Sequence, residues 1–285
     1  MAGGLIRTRF APSPTGPLHL GHAFAALTAA RLADPGAFLL RIEDIDRSRW
    51  RPEWETAIFD DLHWLGLDWP DPVMRQSQRR RAYAAALDRL GAMGLTYPCR
   101  CRRGDIAAAL SAPQEGAAPA VGPDGPVYPG TCRGRPMAEA EPDDAIRLDA
   151  RRALTLLGVD GLSFHDGCVR PGHPHHLTAP DFIDRVGDVV LARRGMGTSY
   201  HLAVVVDDAA QGITLVTRGQ DLFESTFIHV LLQHLLGLPQ PAYHHHRLIR
   251  DDHGKRLAKR DDARAIRSYR AAGMSPADVR QLIGL

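Results

Sequence analysis

The segment that most restricts the fold is a short apolar run, Leu5-Ile-Arg-Thr-Arg-Phe10, which passes through Ala11-Pro-Ser-Pro-Thr-Gly-Pro into Leu18-His-Leu-Gly-His22. The run reads as a strand, the Pro/Gly-rich stretch as a tight connection, and about Leu20 to Leu32 as a helix. A strand feeding a helix N-terminus in this way gathers backbone N–H groups that have no intrahelical partner, and so makes an anion site. Two imidazoles, His19 and His22, flank Leu20-Gly21 at that terminus and suit phosphate oxygens with less bulk than a lysine. Taken alone, these residues read more readily as a turn and a capped core helix, so the rest of the chain decides.

A second apolar run, Ala37-Phe-Leu-Leu-Arg-Ile42, ends in Glu43-Asp-Ile-Asp46. Strand, helix, strand is the opening of a parallel α/β sheet. Glu53–Leu65 and Arg79–Met93 repeat apolar residues at three and four, as helices do. Alternation returns at Ala145-Ile-Arg-Leu148 and in Phe182–Leu191. Tyr200-His-Leu-Ala-Val-Val-Val-Asp-Asp208, β-branched and ending in two acids, suits a buried parallel strand. Ile213–Thr217 is expected as another strand, Ser225–Leu236 as an amphipathic helix stopped by Gly237 and Pro239, and Leu248-Ile-Arg250 as the last strand-like piece.

Composition narrows the class. The chain has 285 residues, 44% hydrophobic and 24% charged, enough to bury a core. No window reaches the roughly 18 apolar residues of a membrane span, and the start lacks a basic-then-apolar leader, so a cytoplasmic location is expected. A net charge of +2 gives no bulk attraction to nucleic acid. Arg75 to Arg81 nevertheless holds four arginines and no acid, with Arg100, Arg102 and Arg103 close behind; such a group meets phosphates or is simply a solvated face.

Cysteine use points to metal before disulfide: Cys99, Cys101, Cys132 and Cys168 are unevenly clustered. The first three lie in a stretch from Tyr97 to about Arg135 where Pro, Gly and Ala dominate and little can form a packed face. Such an insertion needs something other than a core to organise it.

Ligands of open α/β sheets bind beyond the carboxyl ends of the strands. Three polar clusters are expected there: Arg9 to His22, Glu43 to Asp46, and Arg218 to Asp221. Carboxylates and arginines on neighbouring loops can clamp the ammonium and carboxylate groups of an amino acid. A basic loop, Gly254-Lys-Arg-Leu-Ala-Lys259, offers a lysine to neutralise a triphosphate during displacement at phosphorus.

Together these blocks resemble the class I aminoacyl-tRNA synthetases in their glutamyl form. Phe10 to His22 is similar to the "HIGH" block, and Arg41-Ile-Glu-Asp-Ile-Asp46, Leu202–Asp208 and Arg218-Gly-Gln-Asp-Leu222 to three later ones. Arg256-Leu-Ala-Lys-Arg260 stands in the place of the "KMSKS" loop. The order is right from about residue 5 to 260. Only 25 residues follow Arg260, too few for the anticodon-binding region of a full glutamyl-tRNA synthetase, so the resemblance is to the glutamyl-Q tRNA(Asp) synthetase family.

The resemblance implies a Rossmann-type α/β catalytic domain with an inserted zinc-containing subdomain and a short helical C-terminus. The division expected is 1–96 and 181–243 as the two halves of the catalytic domain, 97–180 as an acceptor-like zinc insert, and 244–285 as the mobile loop and C-terminus. It also implies activation of L-glutamate with ATP and Mg, without tRNA, and transfer to the queuosine base at the wobble position of tRNA(Asp), by a monomer with no membrane partner. Carried over, Arg9, Phe10, Ala11, Pro12, Ser13, Glu43, Tyr200 and Arg218 bind glutamate; His19, Gly21, His22 and Lys259 bind ATP, with His19, His22 and Lys259 catalytic. Cys99, Cys101, Tyr128 and Cys132 match the family's zinc ligands, Cys168 with His165 and His173 being the competing source of a fourth ligand.

The chain departs from the family at Ala258, where a serine is usual, and at Arg260. That removes a hydrogen-bond donor to phosphate while Lys259 keeps the charge. The His244–His246 triplet, with His253, makes a poor chelate because alternate strand residues face opposite ways. The four tryptophans read as core and interface packing. The competing functions are a truncated glutamyl-tRNA synthetase charging a 3′ end, a non-catalytic tRNA-binding paralogue, and a nucleotidyltransferase. Retention of His19, His22 and Lys259 speaks against the second, and the glutamyl-type Arg41–Asp46 block against the third.

Overall fold

The computed structural model describes residues 4–111, 120–169, 172–193, 195–250 and 264–285. Two parallel ribbons form its centre. In the first, Thr8–Phe10 pairs with Phe38–Ile42, which pairs with Met74–Arg75. In the second, Leu215–Gly219 pairs with Ala242–His246. They meet edge to edge: the amides of Thr214 and Leu215 donate to the Arg7 carbonyl at 3.0 and 3.1 Å. The Arg9 side chain then crosses to the Thr217 carbonyl at 3.1 Å. The strand ends carrying Arg9, Glu43 and Arg218 are thereby brought to one edge of the sheet.

Two apolar cores flank this sheet. One joins the helix Leu20–Leu32 to Pro52–Trp64 and Pro276–Ile283 through Phe24, Leu27, Ile58, Leu62, Val279 and Ile283. Of the four tryptophans expected to pack, Trp64 and Trp69 lie against it, while Trp50 and Trp54 do not. The other is built on Ser225–Leu236, whose helix ends at Gly237 in the left-handed conformation that glycine tolerates. Among the described residues no helix is long and apolar enough to cross a membrane.

Three sequence expectations give way here. Tyr200–Ala210 is a helix, not a strand. Ser199 caps it, accepting from the Leu202 N–H, and the segment from His201 to Val205 is buried, as are Asp207 and Asp208. Tertiary burial overrides the β preference of three consecutive valines, and burial of nearly every position hides the helical period. Phe182–Leu191 divides between the helix Ala179–Arg185, capped by Thr178, and the strand Val190–Ala192. The strand expected at Leu248–Arg250 lies earlier, at Ala242–His246.

The segment beyond residue 96 forms a second, antiparallel sheet in the order Val190–Ala192, Ala145–Leu148, Thr96–Cys99. The helix Arg103–Ser111 and a tiny hairpin, Val121–Gly122 with Gly125–Pro126, complete it. Between its strands the hairpin Gly161–His165 with Pro174–Thr178 packs Leu162, Phe164 and Leu177 into the second core.

Candidate active site

His19 is the N-cap of the helix Leu20–Leu32 and so satisfies both readings of its segment. Its Nδ1 accepts from the Gly21 N–H at 3.1 Å, while its own N–H donates to His22 Nδ1 at 3.1 Å. The two rings lie 3.8 Å apart. A Cβ on Gly21 would stand 3.0 Å from the His19 ring, so glycine is what lets the ring fold over the helix end. No acid occupies the first turn, so the helix itself supplies no negative charge to its positive end. Ala265 bridges to His19, and the Ile266 N–H donates to the Leu18 carbonyl at 2.9 Å. The C-terminal flank of the basic loop is thus tied to this helix end, while Lys259, Ala258, Arg256, Arg260 and His253 lie outside the described residues.

Pro12 accepts from the Glu43 N–H at 3.0 Å, which joins the proline turn to the end of the second strand. Phe10 packs in the apolar core; Ala11 and Pro12 are largely covered, and Ser13 is exposed on the turn. Next to them lies a buried ion network that the sequence did not announce. Asp208, from the Tyr200–Ala210 helix, accepts from Arg9 Nε at 2.9 Å and Arg41 Nη1 at 2.7 Å. Arg41 also reaches Glu43 Oε1 at 3.3 Å. Burial opposes the charge on Asp208, but the two arginines outweigh it and hold its carboxyl below the ordinary range. For Glu43 the balance reverses, and burial raises it despite Arg41 and Arg9. Tyr200 is raised by burial too, and its hydroxyl lies within reach of the charges of Arg218, Glu43, Arg9 and Asp208.

Arg218 differs from Arg9 and Arg41. It is 6% exposed, yet among the described residues no carboxylate lies in ion-pair contact with it. Its bonds go to neutral acceptors: Nε to His245 Nε2 at 3.0 Å, Nη1 to His229 Nδ1 at 2.9 Å, Nη2 to Thr226 Oγ1 at 2.6 Å. A guanidinium has five N–H donors, so two remain. A buried cation held by neutral groups, with donors to spare, suits a ligand carboxylate. Arg41, Asp208, Thr226 and His229 were not singled out individually from sequence, and His245 only as part of the histidine triplet. The signals were that Arg41 opens one of the family-like blocks and Asp208 ends another.

In the insert, the ligand atoms of Cys99, Cys101 and Cys132 all lie within 4.8 Å of one another. The Tyr128 hydroxyl sits among them, 3.3 Å from Cys99 Sγ and 3.4 Å from Cys101 Sγ, and accepts from the Cys132 N–H at 2.8 Å. Burial opposes ionisation of Cys132, but hydrogen bonds from Tyr128 and the Arg100 N–H outweigh it and pull the thiol down to about 7. Three sulfurs and an oxygen at these separations fit the edges of a tetrahedron around a zinc-sized ion, which are about 3.7 Å for Zn–S bonds near 2.3 Å. Cys168 pairs instead with His244, at 3.1 Å. The histidine triplet alternates as expected, His245 facing Arg218 and His246 facing Phe24.

Half of the basic stretch is structural: Arg75 bonds Glu55 and Arg79 bonds the buried Asp207, while Arg80 and Arg81 are exposed. Arg102 and Arg103, with Arg147 and Arg193, instead line a cavity of about 490 Å³ in the insert.

Comparison with known proteins converges on one family. Residues 5–120 and 181–285 match the family of class I tRNA synthetases (E and Q), catalytic domain. The chain is 61% identical over 285 residues to a glutamyl-Q tRNA(Asp) synthetase of Rhodobacter capsulatus, covering 98% of this chain and 99% of that one. It is 44% identical to one from Nocardia farcinica, covering 96% and 82%. Among solved structures it resembles a glutamate tRNA ligase of Elizabethkingia meningosepticum in complex with its amino acid (TM-score 0.67, 28% identity). That likeness covers 90% of this chain and 52% of the ligase, so the chain spans about half of that relative. The fold is therefore the class I synthetase catalytic fold, and the chain belongs to the glutamyl-Q tRNA(Asp) synthetase family.

Proposed function

We propose that this chain activates L-glutamate with Mg-ATP, without needing tRNA, and transfers the glutamyl group to the queuosine base of tRNA(Asp). The relatives' names supply the product, a glutamylated tRNA(Asp), and the use of Mg-ATP without tRNA is part of the proposal. The observation that carries it here is Arg218, a buried cation without a carboxylate partner among the described residues, beside Glu43, Arg9 and Tyr200. Arg218 and Arg9 hold glutamate's carboxylates, Glu43 takes its ammonium, and the turn from Phe10 to Ser13 closes the pocket through its backbone and the Ser13 side chain. His19, Gly21 and His22 hold ATP phosphates at the helix end, and Lys259 adds charge from the following loop.

In the reaction an oxygen of the glutamate α-carboxylate attacks the α-phosphorus. The new O–P bond forms as the bond to the β-phosphate oxygen breaks, and pyrophosphate leaves. No covalent enzyme intermediate is needed; catalysis is positioning plus stabilisation of charge on phosphorus. Queuosine then attacks the mixed anhydride and releases AMP. The insert, 97–180 in our division of the chain, contributes a zinc site of Cys99, Cys101, Tyr128 and Cys132 that supplies cohesion rather than chemistry.

The test is the site of attachment. With labelled glutamate, ATP and queuosine-bearing tRNA(Asp), nuclease digestion should leave the label on the anticodon-loop fragment. Label on the 3′-terminal adenosine, or acceptance by tRNA(Glu) alone, would contradict the proposal and favour a truncated glutamyl-tRNA synthetase.

A further inference from the structure

Arg218 is held from two sides, and the hydrogen bonds on each side can run in only one direction. A guanidinium only donates, so His229 Nδ1, 2.9 Å from Arg218 Nη1, must be a lone pair. Burial, then Arg218 itself, keeps the His229 pKa well below its ordinary value, so the ring is neutral and its single proton sits on Nε2. That N–H points at His201 Nδ1, 3.1 Å away, which must accept. The proton of a neutral His201 is then on Nε2, 3.2 Å from Asp124 Oδ1. His229 and His201 are 2% and 4% exposed, so water does not compete for the bond between them, while the Asp124 side chain at the end of the arm is partly exposed. Asp124 belongs to the turn between Val121–Gly122 and Gly125–Pro126, and its bond from His201 holds its carboxyl below the ordinary range.

On the other side His245 Nε2 accepts from Arg218 while Nδ1 donates to Asp166. Asp166 is fixed inside the core by the Cys168 and Val169 N–H groups. The arm through His229 differs because it ends on the hairpin of the insert, about a hundred residues away in sequence. In both arms the carboxylate is set back by one or two neutral rings. Arg218 therefore keeps a fixed orientation without losing its charge to a protein carboxylate.

We propose that His229, His201 and Asp124 are positioning residues, a one-way hydrogen-bond chain that orients Arg218 for glutamate and couples glutamate affinity to the folded hairpin of the insert. The proposal rests on the reading that Arg218 holds a glutamate carboxylate. It is tested on the full chain by glutamate-dependent ATP–pyrophosphate exchange in Asp124→Ala and Asp124→Asn. Histidine tautomers are read alongside by two-bond 15N–1H correlations, assigned with His229→Asn and His201→Asn.

Asp124→Ala is expected to raise the KM for glutamate about 5- to 10-fold, less than the loss of a direct charged hydrogen bond because it acts through two rings, with KM for ATP and kcat within about twofold. Asp124→Asn, whose amide oxygen still accepts from His201, should return KM for glutamate to within about twofold of the parent. Both rings, His229 and His201, should show the Nε2–H tautomer in the free enzyme. A His229 proton on Nδ1, or equal kinetic effects of the two Asp124 variants, would overturn the chain. If the parent protein shows no glutamate-dependent exchange, the reading of Arg218 fails, and the tautomers still decide whether the chain exists.

Discussion

The substrate corner and the cysteine insert order their polar groups in opposite ways. At the corner, most charged groups have several protein partners: Asp208 binds two arginines, Arg41 reaches Asp208, Gln211 and Glu43, and Arg218 binds three acceptors, while the Glu43 carboxylate is met by Arg41. An apolar core on either side of the sheet supports these bonds. The cysteine stretch of the insert, residues 97–135, has among its described residues only Tyr97, Cys99, Tyr128 and Cys132 as a buried cluster, with Cys101 and Ile106 against it. Its hairpin strands are two residues long. So small a cluster coheres through a central ion or hardly at all. A polar site packed into a large core therefore keeps its shape when a charge is lost, whereas a metal-centred one loses its shape with a single ligand.

The largest expected effect is on the insert. Chelation, or Cys132→Ala, should release about one equivalent of zinc per chain, read by metal analysis, since a structural zinc is worth on the order of 10 kcal/mol. Protease cleavage within residues 97–135 should speed up by about 100-fold or more, while the main thermal transition moves little. If cleavage is unchanged, the insert is held by its packing and the contrast with the corner disappears.

The corner should show the converse, a chemical loss without a structural one. Lys259→Ala is expected to cut ATP–pyrophosphate exchange by roughly 10²- to 10³-fold, the cost of one charge aimed at a transition state. Its melting temperature should match the parent within about 1 °C. Full exchange in this variant would remove the loop from the mechanism.

A smaller effect tests the core arm of Arg218. Burial opposes the charge on Asp166, but bonds from His245 and from the Val169 and Cys168 amides outweigh it and hold the carboxyl at about 2. A value below that of the unfolded chain means stability present above about pH 4 and lost as pH falls through 2. Asp166→Asn should therefore lower Tm by roughly 5 °C at pH 7, with the gap closing below about pH 3. A constant gap across that range would assign the loss to packing rather than to charge.

How much was legible in the sequence follows the range of the forces involved. The helix Leu20–Leu32 was readable because its cap and its alanine-rich composition are local signals. So was Ser225–Leu236, which stops at a left-handed glycine. Tyr200–Ala210 was misread because its three consecutive valines favour a strand, and only the tertiary burial of the segment makes it a helix. That error hid the role of Asp208, which reaches Arg9 and Arg41 from a helix rather than from a strand end. His229, His201 and Asp124 were invisible because their meaning lies in contacts 28 and 77 residues apart in sequence (His201 to His229, Asp124 to His201). The cysteines were legible because spacing on a short strand and loop already brings Cys99 and Cys101 together.

The central claim is that this corner activates glutamate without help from RNA. The direct measurement is glutamate-dependent ATP–pyrophosphate exchange with and without tRNA. The account predicts exchange at full rate with no tRNA present, unchanged within about twofold when tRNA(Asp) is added. Exchange that appears only when tRNA(Glu) is supplied would contradict it.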